Sequence, residues 1–407
     1  MGISQLSSLL ACCALSRAAA AITWFPAAGP TSTVLWEGRT LVDAATGSAT
    51  FDWPGVRASF VVQATSTVYA RLLAPGSVRG LFRVRVDGVN ASSVLVDSSA
   101  SVYVLASGLD ATAPHTIELA SALEPALLHP QPFLPSPPYE ALTLSAVGVE
   151  ASGSLAGPLA PPSRRLAFVG DSITAGFGAG GEPPDCPNPS TYSEDNLVTY
   201  GRLLCARFSA ACDVVAWSGK GLMVNSPTAG TNQTLPTYYT QTLGAGQAPY
   251  EPTWDFSFVP DAVVVNLGTN DQGHGHDTGP AWEANFTETY VHFMANLTVW
   301  HGNAHLAIFA ASGPLTSRLA AAIQAAVVAH NANGGRAVFL DLMIGRSVGG
   351  CYGHPSARDH ADMAALAAPV MAAALGWQLP EELPGGAVAA RQQEGGGAPG
   401  TARARAP

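Results

Sequence analysis

Two hydrophobic rhythms that cannot share one sheet divide this chain. From about residue 31 to 150, apolar and polar residues alternate over short runs. Examples are Arg57-Ala-Ser-Phe-Val-Val-Gln, Thr67-Val-Tyr-Ala-Arg-Leu, Leu81-Phe-Arg-Val-Arg-Val-Asp, His115-Thr-Ile-Glu-Leu and Leu142-Thr-Leu-Ser-Ala-Val-Gly-Val. Gly, Pro, Asn and Ser separate the runs, and Asp87-Gly88 has the composition of a hairpin turn. A period of two means strands with one buried face. Many such strands with no helical stretch predict an antiparallel β-sandwich, jelly-roll-like in type.

After residue 165 the strands become continuously apolar. Leu166-Ala-Phe-Val-Gly, Asp213-Val-Val-Ala-Trp, Ala262-Val-Val-Val-Asn-Leu, His305-Leu-Ala-Ile-Phe-Ala and Ala337-Val-Phe-Leu-Asp-Leu leave no face for water. Helical stretches are expected at Asn196–Ala210, Ala281–Trp300, Thr316–Asn333 and His360–Leu375. Such alternation predicts a parallel sheet covered on both faces, a three-layer α/β/α domain, with ligands at the carboxyl ends of its strands. The expected organisation is therefore a sandwich over 31–150, a linker over 151–165 built around Ala160-Pro-Pro-Ser, an α/β domain over 166–378 and a disordered tail over 379–407. Two domains plus tails also suit 407 residues.

Hydrophobic residues make up 47% of the chain and charged residues 12%, enough for a sizeable core. The formal net charge of -10 argues against a nucleic-acid surface, which needs clustered cations to displace counterions. Residues 1–21 read as a targeting segment: the apolar run Leu6–Leu15 is followed by Arg17 and four alanines. That run is too short to span a bilayer, so no membrane partner is expected. Sequons at Asn90, Asn232, Asn285 and Asn296 favour the secretory route; the absence of acidic residues before Glu37 keeps a plastid route as the alternative. Past the targeting segment, Cys186, Cys205, Cys212 and Cys351 allow three full pairings, and the sequence does not choose among them. A monomer is expected.

Four features carry chemistry. Gly170-Asp-Ser-Ile places Ser172 on the turn leaving the first parallel strand. Trp217-Ser-Gly-Lys-Gly follows the second strand, where Gly219, or failing that Gly221, can bring a backbone N–H to a ligand. Gly268-Thr-Asn-Asp follows the third, with the Asn270 amide as a donor. His354-Pro-Ser lies in the loop before the last helix. Each alone has an ordinary explanation: a helix cap, a turn, an Asx turn, a surface histidine. Together they converge on one sheet edge and supply a nucleophile, a base and oxyanion donors, the set that ester hydrolysis needs.

These blocks resemble those of the SGNH (GDSL) hydrolase superfamily, and most closely carbohydrate esterase family 2. Trp254-Asp-Phe-Ser with Pro260-Asp-Ala-Val-Val-Val-Asn-Leu, Ser218-Gly-Lys-Gly, and His354-Pro-Ser with His360-Ala-Asp-Met-Ala carry the likeness, as does a sandwich preceding the hydrolase. The resemblance implies removal of O-acetyl groups from polysaccharide or oligosaccharide, with an acetylated carbohydrate as substrate. A lipase- or thioesterase-type hydrolase of the same superfamily, or a non-catalytic carbohydrate-binding protein of the same fold, are the alternatives, and no cofactor is expected. It implies Ser172 as nucleophile, His354 as base, and Ser172 N–H, Gly219 N–H and the Asn270 amide as the oxyanion hole. One departure matters. Where many members carry an Asp three residues before the histidine, this chain has Cys351. A backbone carbonyl is expected to orient His354 instead, with Asp341 and Asp359 as alternatives. Ser347 formally fits a nucleophile elbow in Gly345-Arg-Ser-Val-Gly, but a glycine-rich loop follows it rather than a helix. His274-Gly-His-Asp277 reads as a solvated loop rather than a metal site, and Trp254 as core rather than a sugar platform.

Overall fold

In the computed structural model, residues 21–128, 141–187, 190–227, 229, 232–244, 253–272 and 279–379 are described. The targeting segment through residue 20, the tail from residue 380 and His274-Gly-His-Asp277 lie outside them. The alternating half of the sequence forms twelve strands: β1 (Ile22–Pro26), β2 (Leu35–Glu37), β3 (Leu41–Asp43), β4 (Ser48–Phe51), β5 (Arg57–Gln63), β6 (Thr67–Leu73), β7 (Gly80–Val86), β8 (Val89–Val96), β9 (Val102–Ser107), β10 (His115–Ser121), β11 (Leu142–Glu150) and β12 (Ser154–Leu155). They form two antiparallel sheets, β3-β4-β11-β6-β9 with β1 also on β11, and β12-β5-β10-β7-β8 with β2 also on β5. In β6 the period of two is visible, since Val68, Ala70 and Leu72 are fully buried between half-buried or exposed neighbours. Asp87 and Gly88 link β7 to β8 with φ of 51° and 77°, the two positive values that a two-residue type I′ turn requires.

The second half builds a five-stranded parallel sheet from β13 (Arg164–Gly170), β14 (Ala210–Ala216), β15 (Ala262–Asn266), β16 (Ala307–Ser312) and β17 (Arg336–Asp341), in the order β14-β13-β15-β16-β17. The helices are α1 (Ser172–Ala175), α2 (Tyr200–Phe208), α3 (Leu235–Tyr238), α4 (Pro280–Trp300), α5 (Ala320–Ala332) and α6 (Ala357–Leu375). Leu166, Phe168, Val264 and Phe309 pack with Met363 and Met371 of α6 on one side. Val263, Val265 and Ile308 pack with Phe293 of α4 and Ile323 of α5 on the other, in a core continuous with that of the sandwich. Burial on both faces is why these strands read as unbroken apolar runs.

Some boundaries differ from the sequence expectation, for local reasons. The helix expected over Asn196–Ala210 is split. Thr199 caps α2 through its side chain, and Ser209 ends it in the left-handed region at φ 51°. Ala210 is thereby released to begin β14 beside Arg164. Helix α6 starts three residues earlier than expected because Ser356 and Asp359 form a reciprocal capping box. Helix α5 begins at Ala320 rather than Thr316. Residues 22–26 add β1 to the sandwich ahead of the expected start, and the expected linker contributes β12, paired with β5.

Buried charge pins the two halves together. Arg39, fully buried in the turn after β2, lies 3.3 Å from the Asp213 carboxylate of β14. Its guanidinium also donates to the Tyr239 and Gln241 carbonyls and lies over the Tyr239 and Trp254 rings. Trp254 is half-buried and lies outside both apolar cores, its ring under the Arg39 guanidinium. Burial raises the Asp213 carboxyl above its usual range, and Arg39 pulls it back. Arg39→Ala leaves a buried carboxylate without its partner. It is expected to lower unfolding free energy by about 3–5 kcal/mol in urea titration, with the Arg39→Ala/Asp213→Ala pair costing less than the sum of the singles.

Candidate active site

The order β14-β13-β15 places the first strand of the parallel sheet between the second and third, so the order of strand addition reverses at β13. Ligands of such sheets bind at the carboxyl ends beside a point of this kind. Gly170 ends β13, and a Cβ at that position would sit 2.0 Å from Thr174 Oγ1, so only glycine permits the tight turn into α1. Asp171 is the N-cap: its Oδ1 accepts the Ile173 N–H at 3.0 Å. The capping role that Ser172 could have filled is thus taken by its neighbour. Ser172 is the first residue of α1, where an N–H has no partner within the helix. Asn196 holds the turn from below, donating to the Thr174 and Ala175 carbonyls at 3.0 and 3.1 Å.

His354 reaches this turn from the loop before α6. Its Nε2 lies 2.9 Å from Ser172 Oγ and its Nδ1 lies 3.0 Å from the Tyr352 carbonyl oxygen. A carbonyl can only accept, so Nδ1 carries the proton and Nε2 presents a lone pair to the serine hydroxyl. Burial lowers the imidazole below its ordinary value and favours the unprotonated ring, opposed by the Tyr352 carbonyl. Neither alternative carboxylate is at the histidine. Asp359 receives Gly349 N–H, Ser356 N–H and the Ser356 hydroxyl at the start of α6, and Asp341 accepts the Met343 N–H at 2.9 Å.

Restraint stands where an acid is absent. Cys351 is bonded to Cys186, across 165 residues of chain, and its N–H donates to the Gly178 carbonyl at 2.9 Å. The Tyr352 hydroxyl donates to the Pro187 carbonyl at 2.6 Å. Two links to residues 186–187 thus hold Tyr352 at φ 56°, a left-handed conformation that side chains rarely adopt. Gly178 lies so close that a Cβ there would be 2.3 Å from the Cys351 carbonyl and 2.7 Å from His354 Cβ. The Phe177 ring meets the imidazole edge-on at 4.8 Å between centroids.

The third group of residues follows β14 and β15 and lies beside this turn. Gly219 has φ 78° in a turn closed by the Lys220 N–H to the Trp217 carbonyl at 3.2 Å. Asn270 Nδ2 donates to the Lys220 carbonyl at 2.9 Å and to Asp171 Oδ2 at 3.2 Å. Its two hydrogens are thus both engaged, so donation to an oxyanion requires exchange of one, and the longer bond to Asp171 is the weaker. Burial, assisted by Asp271, pushes the Asp171 carboxyl up to about 7. Asp271 is fully buried and receives the N–H groups of Leu222, Met223 and Val224 at 2.9, 2.7 and 2.9 Å, which fixes the loop after Gly221.

The structure brings Ser172, His354, Gly219 and Asn270 to one edge. Ser347 stays in the exposed turn after β17. Sequence reasoning assigned no role to Tyr352, Phe177, Asp171 or Asp271. Asp171 and Asp271 stand within quoted motifs, but their partners are far away in the chain. Nothing in sequence distinguishes Tyr352, which acts through its backbone. Among the described residues, no cluster of His, Cys, Asp or Glu could hold a metal ion.

The profile of the GDSL-like lipase/acylhydrolase family matches residues 168–376. The cellulase/esterase CelE of Acetivibrio thermocellus is 30% identical over 237 residues, 58% of this chain and 26% of that protein. An acetylxylan esterase / glucomannan deacetylase of Cellvibrio japonicus is 28% identical over 213 residues, 50% of this chain and 58% of the relative. The chain therefore spans less than two thirds of either curated relative. Among solved structures, a carbohydrate esterase family 2 enzyme plus carbohydrate binding domain from Corynascus thermopiles (Myceliophthora fergusii) is 31% identical, with TM-score 0.68, covering 84% of this chain and 100% of that one. A family two carbohydrate esterase from Clostridium thermocellum, solved with cellohexaose, shares the fold at TM-score 0.72 and 24% identity, covering 85% of this chain and 100% of that one.

Two outcomes are expected from this geometry. The sequence alone leaves Cys351→Ala neutral unless Cys351 closes a disulfide. With the bridge to Cys186 in place, Cys351→Ala should instead lower kcat by about ten- to a hundredfold through misplacement of His354, measured on a protein shown to be folded. With a base that works unprotonated, kcat/KM should rise with pH through a limb centred below the ordinary imidazole value of about 6.5, and be level at neutral pH.

Proposed function

Because the chain belongs to the GDSL-like lipase/acylhydrolase family and, within it, to carbohydrate esterase family 2, we propose that it is a serine esterase that removes O-acetyl groups from polysaccharides or oligosaccharides. The observation that carries the reading is Ser172 Oγ at 2.9 Å from a His354 Nε2 whose other nitrogen is committed to a carbonyl. Ser172 Oγ attacks the acetyl carbonyl carbon while its proton passes to His354 Nε2. The new C–Oγ bond leaves a tetrahedral oxyanion, received by the N–H groups of Ser172 and Gly219 and by the Asn270 amide. His354 then protonates the departing sugar oxygen, the C–O bond to the sugar breaks, and acetyl-Ser172 remains. Water attacks this ester, giving its proton to His354, and acetate leaves as Oγ recovers the proton.

The Tyr352 carbonyl fixes the tautomer but carries no full charge to stabilise the imidazolium. The oxyanion donors and the rigid loop therefore bear more of the catalysis. Two disulfides, Cys186–Cys351 and Cys205–Cys212, support maturation in an oxidising compartment. The four sequon asparagines, Asn90, Asn232, Asn285 and Asn296, are all exposed, which supports glycosylation and the secretory route over the plastid one. Among the described residues no helix is long and apolar enough to cross a membrane.

Ser172→Ala is expected to abolish release of acetate from acetylated polysaccharide and from p-nitrophenyl acetate while the fold persists; wild-type turnover by the folded variant would refute the assignment. Asn270→Ala should lower kcat by about 10²–10³ with KM little changed. A change in KM alone would move Asn270 to substrate binding. Faster turnover of long-chain aryl esters than of the acetate would favour a lipase-type acyl site instead.

A further inference from the structure

Two residues of the sandwich, Ala122 and Glu124, touch both halves of the catalytic apparatus. Directly after β10, the Ala122 carbonyl accepts the Asn196 N–H at 3.1 Å, and Asn196 is the residue that supports the nucleophile's turn. Two residues on, the Glu124 N–H donates to Glu194 Oε1 at 2.5 Å. Glu124 Oε2 then crosses to the other side of β13 and accepts the backbone N–H of Ser218, immediately before Gly219.

Glu124 and Glu194 are both fully buried, and among the described residues neither forms an ion pair with lysine or arginine. A buried carboxyl costs stability unless hydrogen bonds repay its desolvation, and a neutral side chain of similar size would fill the space at less cost. What this side chain supplies here is an acceptor oxygen at the right reach for one chosen N–H. Ser218 and Gly219 are consecutive in the turn, so fixing one amide fixes the peptide plane that holds the next. Deepening the esterase reading, on which it rests, we infer that Glu124 is a positioning residue of the oxyanion loop, holding the Gly219 N–H in place from within the β-sandwich. The groups facing its carboxyl are Ser218, Glu194, Asp171 and Lys220, the single lysine of the chain. Burial raises the Glu124 carboxyl and lowers the Lys220 ammonium, a lowering that nearby Glu124 opposes.

The test is a series at one position, assayed for p-nitrophenyl acetate turnover after folding is confirmed by circular dichroism. Glu124→Gln keeps an oxygen acceptor at the same reach and should stay within about threefold of wild-type kcat. Glu124→Asp keeps the carboxyl but withdraws it by one methylene, and Glu124→Ala removes it. Both should lower kcat about ten- to a hundredfold with KM little changed. Amide exchange at Ser218 and Gly219 should accelerate in Asp and Ala variants but not at Ile173. If Glu124→Ala does not fold, the contrast between Asp and Gln decides. Wild-type kcat in the Asp or Ala variant overturns the inference, as does a Gln variant as impaired as Asp. If the wild type itself does not hydrolyse the acetate, the esterase reading fails, and amide exchange alone then decides the role of Glu124.

Discussion

Everything at the site depends on β13 lying between β14 and β15 with all three strands parallel. Loops that leave parallel strands emerge from one edge, so Ser172, Gly219 and Asn270 meet although 98 residues separate the first from the last (270 − 172). The register is continuous: Gly170 stands opposite Ala216 on one side and Asn266 on the other. The turn out of β13 is tight only because Gly170 lacks a Cβ. It is stiff only because Asp171 caps α1 and Asn196 braces the far end. On the proposed reading, a nucleophile on such a turn has little freedom to lose when a substrate arrives, which is how preorganisation contributes to rate.

His354, the base proposed here, is handled differently. A carboxylate partner would orient the imidazole and stabilise its charge at once. Here orientation comes from a carbonyl whose residue is held in an unfavourable conformation by a disulfide on one side and a hydroxyl contact on the other. The arrangement exchanges charge stabilisation for rigidity. It also explains why the cysteine at position 351 is not an idle replacement for an acid, since it anchors the loop that an acid would otherwise have held.

The sandwich is more than an appended module. Its core runs into one face of the hydrolase sheet, Arg39 inserts a cation beside Asp213, and Ala122 to Glu124 reaches the supports of both nucleophile and oxyanion loop. Interfaces with this much buried charge and continuous apolar packing do not permit the free relative motion expected of loosely linked domains.

The periodicities alone determined a sandwich before a parallel sheet, because burial on one face or two leaves its mark on every strand. The motifs placed Ser172, Gly219, Asn270 and His354 at strand ends or in the last loop, because turns at a sheet edge need particular residues. Boundaries set by single caps, at Thr199, Ser209 and Ser356, were not read, since serine and threonine occur equally in turns. The orientation of His354 by Tyr352, the choice of Cys186 for Cys351, the hold of Asp271 on three N–H groups and the reach of Glu124 to Ser218 were decided only in three dimensions. Each joins a backbone group or a buried side chain to a partner fixed by packing. A backbone carbonyl has no residue identity, and a buried carboxylate looks in sequence like any other, so no pattern of letters could announce them.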